Sequence, residues 1–209
     1  MAIDVNTLAD AIARANQAMT GLTDVLNAAD AKLGDGDTGT MLARLIGTFA
    51  AVDVRSAPNL GAGFMALAKA GAASTGSSLG TLIITAMMTA GKLNAGQQTM
   101  DWSRLGDVIA AIRDAAMARG KAELGAKTII DGLDALAKAM DGKDNPASIA
   151  AASRHAMHQV LAEFRQRPSA MGRARMFAEK SVGLDDPGML GLAEIIHAVT
   201  ADHGATPLA

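Results

Sequence analysis

Apolar side chains recur along this chain at steps of three and four, the spacing of one face of an α-helix. Leu8, Ile12, Ala15, Met19, Leu22 and Leu26 form one stripe, and one further step of four reaches Asp30. Met41, Leu45, Phe49 and Val52 form a second, and one step of four backwards reaches Asp37. Leu105, Val108, Ile109, Ile112 and Ala116 mark a third core face, and Ile129, Leu133, Leu136, Ala137 and Met140 a fourth. With the breakers between them, these patterns predict helices over about 4–30, 37–53, 59–73, 78–93, 101–119, 126–141, 146–167 and 187–202. Pro58, Pro146, Pro168 and Pro187 fall near those boundaries, where proline is tolerated. The stretch from Pro168 to Pro187 is the longest non-helical candidate, and long loops are commonly functional. Period-two alternation is scarce, so the expected class is all-α, a helical bundle.

If consecutive helices run antiparallel, alternate loops share one end. The loops near 30–38, 74–78, 120–126 and 168–187 then cluster together, and they are the loops richest in glycine, hydroxyl and basic residues. That end is the candidate site.

Composition narrows the picture. The 209 residues suit one domain, 1–209, with room for a substantial core. Aromatics are only 2%, with one Trp and no Tyr, so small and flexible side chains must fill closely approaching helices. A net charge of −2 offers no electrostatic footprint for nucleic acid. The absence of cysteine excludes disulfide and thiolate chemistry and fits a cytoplasmic protein. Asp4 and the lack of a basic start argue against a signal peptide. The longest apolar run, Leu79 to Gly91, is too short to span a bilayer, so no membrane partner is expected.

The aspartates carry the most informative chemistry. Asp30 and Asp37 end and begin two apolar stripes, and Asp35 lies between them in Gly-Asp-Gly-Asp. Inward-facing carboxylates need a positive partner, because desolvating them unpaired costs several kcal/mol or more. Lys32 is the single basic residue in that loop, so a hard divalent cation is the natural candidate. The spacing does not fit an EF-hand. The competing reading makes Asp35 and Asp37 turn and N-cap residues, with Asp30 solvated at a helix end.

Ser74-Thr75-Gly76-Ser77-Ser78-Leu79-Gly80-Thr81 opens a predicted helix. Its glycines, hydroxyls and helix N-terminal N–H groups suit a phosphate, although it lacks the Gly-Lys-[Ser/Thr] ending of a Walker A loop. A small-residue helix start made for tight packing is the competing reading. Arg119-Gly120-Lys121-Ala122-Glu123 and Lys127-Thr128 interrupt two helices, Gly172-Arg173-Ala174-Arg175 and Lys180 supply cations to the long loop, and Asp185-Asp186-Pro187-Gly188 opens the last helix. These cations either neutralise phosphate oxygens or form a solvated surface run. His155 and His158 share a helix face without carboxylate or cysteine companions, and His197 and His203 stand alone.

Together the motifs resemble the nucleotide-binding (L-type, DhaL) domain of dihydroxyacetone kinases. Asp30-x4-Asp35-Gly36-Asp37-Thr38-Gly39-Thr40 is similar to that family's aspartate-rich loop, and Ser74 through Thr81 to its small-residue phosphate loop. Arg119 through Glu123 with Lys127-Thr128 resembles its RGKAE-P-GDKT segment, and Gly172-Arg173-Ala174 with Asp186-Pro187-Gly188 its GRA and DPG segments. The four follow in the family's order along almost the whole chain.

The resemblance implies an antiparallel eight-helix barrel that binds ADP or ATP at one end through two Mg²⁺ ions. By matching positions, Asp30, Asp35 and Asp37 would hold the metals. Thr38, Gly39, Thr40, Met41, Ser74 and Thr75 would surround the phosphates, and Gly120, Ile129, Arg173, Asp186 and Gly188 would contact the nucleotide. Arg173 would also act on the transferred phosphate, the one catalytic side chain expected here. Family members pass a phosphoryl group to a small hydroxyketone held covalently through a histidine on a separate K-type subunit. In some the donor is a phosphotransferase-system protein that rephosphorylates bound ADP. Thr38 occupies a position that is often His in those subunits and often Cys in ATP-exchanging kinases; Gly36 and Thr40 look more like the ATP-using form. Leu124 and Ala126 replace the usual Pro and Asp, and Ala178 a common Gly. A non-catalytic nucleotide-sensing subunit is the alternative function, and a helical interaction protein with a structural cation loop is a third.

Overall fold

Most helices open on a side chain that satisfies their first free N–H groups. Oxygens of Asp4, Asn59, Ser77, Thr128, Asn145 and Asp186 accept from the backbone N–H of Thr7, Ala62, Gly80, Ile130, Ser148 and Met189. Pro146 and Pro187 occupy first-turn positions, where a missing N–H costs nothing. In the computed structural model, which describes residues 2–201, these signals delimit eight α-helices. They are α1 (Val5–Asp30), α2 (Thr38–Ala50), α3 (Leu60–Ala72), α4 (Ser78–Leu93), α5 (Leu105–Gly120), α6 (Ile129–Met140), α7 (Pro146–Arg165) and α8 (Pro187–Val199). Short 3₁₀ segments at Val54–Ser56, Trp102–Arg104 and Arg173–Ser181 complete the described residues.

All eight predicted helices form, with differences at their ends. The second helix stops at Ala50 instead of 53, and the fifth gives its first turn to the 3₁₀ segment at Trp102–Arg104. The sixth starts at Ile129 rather than 126, because Thr128 and Asp131 close a capping box and Lys127 has left-handed backbone at φ 60°. The eighth was expected to reach 202, a position outside the described residues, as is His203; the observed helix ends at Val199. The loop expected to be non-helical between Pro168 and Pro187 contains the 3₁₀ segment Arg173–Ser181, kinked at Phe177.

Each helix packs on its neighbour in the chain, and α8 returns against α1, so the antiparallel helices close into a ring. Leu26, Leu45, Leu60, Leu67, Leu136 and Met157 are among its fully buried side chains, as the helical periodicity requires. Gly39 sets the closest approach of α2 to α1: a Cβ there would collide with the carbonyl oxygen of Thr23. Nearby, Asn27 and Thr40 bind reciprocally, the Asn27 amide donating to the Thr40 hydroxyl at 2.9 Å and accepting the Thr40 N–H at 3.0 Å. One end of the ring is tied shut by the N-terminus and the loops after α2 and α4. Ile3 and Met100 exchange two backbone bonds of 2.8 Å, and the Gln98 amide donates to the Pro58 carbonyl at 2.9 Å. No helix among the described residues is long and apolar enough to cross a membrane.

Candidate functional site

At the other end, the loops after α1, α3, α5 and α7 surround an open cavity of about 760 Å³. These are the four loops expected to share an end. The helices that begin here, α2, α4, α6 and α8, all present first-turn residues to the cavity: Thr38 and Met41, Ser78 and Thr81, Ile129 and Ile130, Pro187 and Gly188. Of the helices that end here, only α1 and α5 reach the lining, through Ala29 and Asp30 and through Arg119 and Gly120. The backbone dipoles facing the cavity therefore favour an anion.

Asp30, Asp35 and Asp37 stand on one wall. One carboxylate oxygen from each lies within 4.8 Å of the other two. Asp30 ends α1, and its Oδ2 accepts the N–H groups of Asp37 at 3.0 Å and Thr38 at 3.3 Å, which folds the loop back over the helix end. Gly36, at φ 76°, makes the reversal. Asp37 holds the N-cap position of α2 but makes no side-chain capping bond. The turn-and-cap reading therefore holds for Asp37 in position but not through its side chain. The expectation of inward, desolvated carboxylates needs correction. Asp30 is half-buried, and Asp35 and Asp37 are exposed, because an inward face at a helix end meets an open cavity instead of a packed core. Three acidic oxygens this close repel one another unless cations sit between them, and oxygen donors of this kind suit Mg²⁺.

Another part of the lining comes from the turn before α6 and the start of α8. Asp131 is buried, and its two oxygens accept the N–H groups of Gly125, at 2.5 Å, and Thr128, at 2.8 Å, holding the turn before α6. Lys127, in that turn, is 2% exposed. Its ammonium donates to the carbonyls of Arg167 at 2.8 Å and Ser181 at 2.7 Å. Burial lowers its pKa; the carboxylates of Asp186 and Asp185 work against that, and Arg165 adds to it. Arg165 is itself held in a two-bond pair with Asp185, at 2.9 and 2.8 Å.

Asp186 caps α8 through a 2.8 Å bond from the Met189 N–H. Desolvation pushes its carboxyl up to about 6, against the Met189 and Gly188 N–H groups and Lys127, which favour the charged form; Asp131 adds repulsion. Folding thus favours the protonated acid. Its contribution to stability is complete below the ordinary value of 3.8 and is lost as pH rises through about 6. Asp186→Asn, whose amide oxygen can still cap, is expected to gain on wild type by roughly 2–3 kcal/mol between pH 4 and pH 8. Urea unfolding of both ligand-free proteins across that range checks this. A constant difference would place the Asp186 carboxyl at its ordinary value.

The expected site residues divide into two layers and one position of which less is seen. Asp30, Asp35, Asp37, Thr38, Met41, Gly120, Ile129, Asp186 and Gly188 line the cavity. Gly39, Thr40, Ser74 and Thr75 lie outside that lining. Gly39 and Thr40 secure α2 to α1, Ser74 bonds the Gly71 carbonyl at 3.0 Å, and Thr75 approaches the Ser77 hydroxyl at 3.4 Å. Arg173 begins the 3₁₀ segment of the fourth loop, and its side chain lies outside the described structure. Two supporting residues were not singled out from sequence. Asn27 sits one turn before Asp30, and Asp131 forms a Thr-x-x-Asp capping box with Thr128, a pattern readable without a structure.

The family model described as the DAK2 domain matches residues 32–201. The L-erythrulose 1-kinase of Mycolicibacterium smegmatis is 34% identical over 180 residues, covering 81% of this chain and 31% of that protein. The L-erythrulose kinase of Pectobacterium atrosepticum is 32% identical over 182 residues, covering 82% and 30%. The chain thus spans about a third of the length of these two relatives. The PTS-dependent dihydroxyacetone kinase ADP-binding subunit DhaL of Lactococcus lactis is 27% identical over 187 residues, covering 89% and 91%. Among solved structures, the dihydroxyacetone kinase of C. freundii superposes with a TM-score of 0.73 at 23% identity, over 93% of this chain and 34% of that one. The all-helical fold is shared with it.

Proposed function

The chain belongs to the DAK2-domain family, and from that premise we propose that it is the nucleotide-binding unit of a dihydroxyacetone-type kinase. In this reading it binds ADP or ATP with Mg²⁺ and passes a phosphoryl group to a small ketose, dihydroxyacetone or erythrulose, held on a separate K-type unit. The relatives named above include erythrulose kinases and an ADP-binding subunit, and a solved neighbour is a dihydroxyacetone kinase in complex with AMP-PNP and Mg²⁺. The observation that carries the reading is the presence in one cavity of three clustered carboxylates and four helix N-termini. Carboxylates alone favour a cation, and N-termini alone favour an anion; a metal–phosphate ligand satisfies both.

The proposed roles follow the two parts of the lining. Asp30, Asp35 and Asp37 would hold Mg²⁺, which would supply charge neutralisation at the phosphate. Thr38, Gly39, Thr40, Met41, Ser74 and Thr75 shape the phosphate side, the inner ones by contact and the outer ones by fixing loop position. Gly120, Ile129, Asp186 and Gly188 border the rest of the nucleotide. Gly36 and Thr40 favour ATP as donor over a phosphotransferase-system protein, by their likeness to the ATP-using form.

Arg173 is proposed to stabilise the transferred phosphoryl group, since a fixed cation is the contribution such reactions most require from side chains. Arg173→Ala is expected to lower turnover with a K-type partner by about a hundredfold or more, while Arg175→Ala changes it little. A coupled assay of ketose phosphorylation decides between them. Equal, negligible losses would return this segment to ordinary surface charge.

A further inference from the structure

Lys127 combines two features that packing alone does not call for. Its backbone is left-handed at φ 60°, a conformation that costs a residue with a Cβ about 1–2 kcal/mol. Its ammonium is buried, which costs several kcal/mol unless hydrogen bonds and nearby charge compensate. An apolar side chain would fill the same space with the backbone cost alone and without burying a charge. What the ammonium does is join two distant points of one loop, the carbonyls of Arg167 and Ser181.

Those two carbonyls flank the neck of the crossing between α7 and α8. The neck is closed by its own bonds as well: the Ser169 N–H donates to the Ser181 hydroxyl at 2.7 Å, and the Gly183 N–H to the Arg165 carbonyl at 2.7 Å. A third tie to the barrel comes from the residue beside the lysine, as the Ala126 carbonyl accepts the Ala170 N–H at 3.1 Å. Residues 170–180 therefore form a compact loop with adjoining ends, an Ω-type arrangement seated on the turn before α6. Met171, Gly172 and Ala174 of that loop line the cavity. Met176, at 78% exposed, faces solvent, so the loop is held by its neck far more than by its tip.

We propose that Lys127 is a positioning residue that clamps the neck of the 170–180 loop and thereby sets how long a nucleotide stays in the cavity. The inference rests on the nucleotide reading and deepens it. Parting of the wall formed by this loop from the α5–α6 turn would widen the mouth of the open cavity, and the two bonds from Lys127 span that seam. Asp185 and Asp186, at the far side of the neck, supply the opposite charge that keeps the ammonium in place.

Two variants test it. Lys127→Met keeps the length of the side chain and removes the donor; Ser181→Ala leaves Lys127 intact and removes the hydroxyl that the neck uses. Hydrogen exchange on the ligand-free proteins and stopped-flow release of a fluorescent ADP analogue with Mg²⁺ are the measurements. In Lys127→Met, exchange across 169–183 is expected to rise about tenfold or more while α2 and α4 stay as in wild type. The analogue is expected to leave about tenfold faster, with its association rate changed far less. Ser181→Ala should move both in the same direction by a smaller factor. Unchanged loop exchange in folded Lys127→Met overturns the clamp, and so does faster exchange with an unchanged release rate. Should Lys127→Met fail to fold, Lys127→Gln, which is shorter and uncharged but keeps a donor, is read by the same pair of measurements, and unchanged exchange and release in it overturn the clamp. Wild-type protein that binds no Mg-ADP would sink the nucleotide reading itself, whereas the exchange data would still judge the clamp.

Discussion

Mg²⁺ and ADP together are expected to raise the melting temperature far more than either added alone. Three carboxylates whose oxygens lie within 4.8 Å of one another repel both each other and an incoming polyphosphate. Mg²⁺ alone relieves the first repulsion but leaves much of its coordination to water; ADP alone meets the carboxylates unshielded. The pair completes both sets of interactions. At ligand about 100 times its dissociation constant, the stabilisation should be about 2.7 kcal/mol. For a domain of this size that corresponds to a shift of roughly 5–10 °C. Asp37→Asn is the sharpest control, because this exposed side chain makes no capping bond whose loss would confuse the result. It should remove most of the joint shift while circular dichroism shows the helices unchanged. Differential scanning calorimetry with Mg²⁺, with ADP and with both decides the matter. An equal shift from ADP in the presence of chelator would contradict the metal-bridged site.

The second large effect concerns turnover. Purified, this chain should phosphorylate dihydroxyacetone or erythrulose negligibly with saturating Mg-ATP, and addition of a K-type subunit should raise the rate by about a hundredfold or more. The cavity explains why. Its lining combines three clustered carboxylates with four helix N-termini, and no histidine is among the lining residues described. His155 and His158 are exposed on α7, and His197 lies in α8. A covalent hold on a ketose through a histidine, as expected of a K-type subunit, therefore has no candidate among the lining residues described. Misplacing reacting groups by about 1 Å already costs roughly a hundredfold. The assay follows ketose phosphate by mass spectrometry with and without the partner. Robust product from the chain alone, with contaminating partner excluded, would refute the split arrangement.

The eight helices were legible because their signals are local. Periodic apolar positions, capping side chains and boundary prolines act within a turn or two, and all eight expected elements form. The gathering of four loops at the end that holds the cavity was also readable, since short connections force antiparallel neighbours and antiparallel neighbours gather alternate loops. The aspartates announced themselves by interrupting two apolar stripes.

Tertiary structure decided what those residues face. The stripes on α1 and α2 point Asp30 and Asp37 toward the middle of the molecule, but whether that middle is core or cavity depends on how far the opposing helices extend. Here α2, α4, α6 and α8 begin around open space, so Asp37 is exposed and Asp30 only half-buried. Lys127 shows the converse. In sequence it was only part of a polar interruption between helices, yet it is 2% exposed, because the crossing between α7 and α8 folds over it and offers two carbonyls. Neither fate is encoded in the spacing around the residue. Both are set by segments far away in the chain, through the desolvation and the hydrogen bonds those segments impose once the ring has closed.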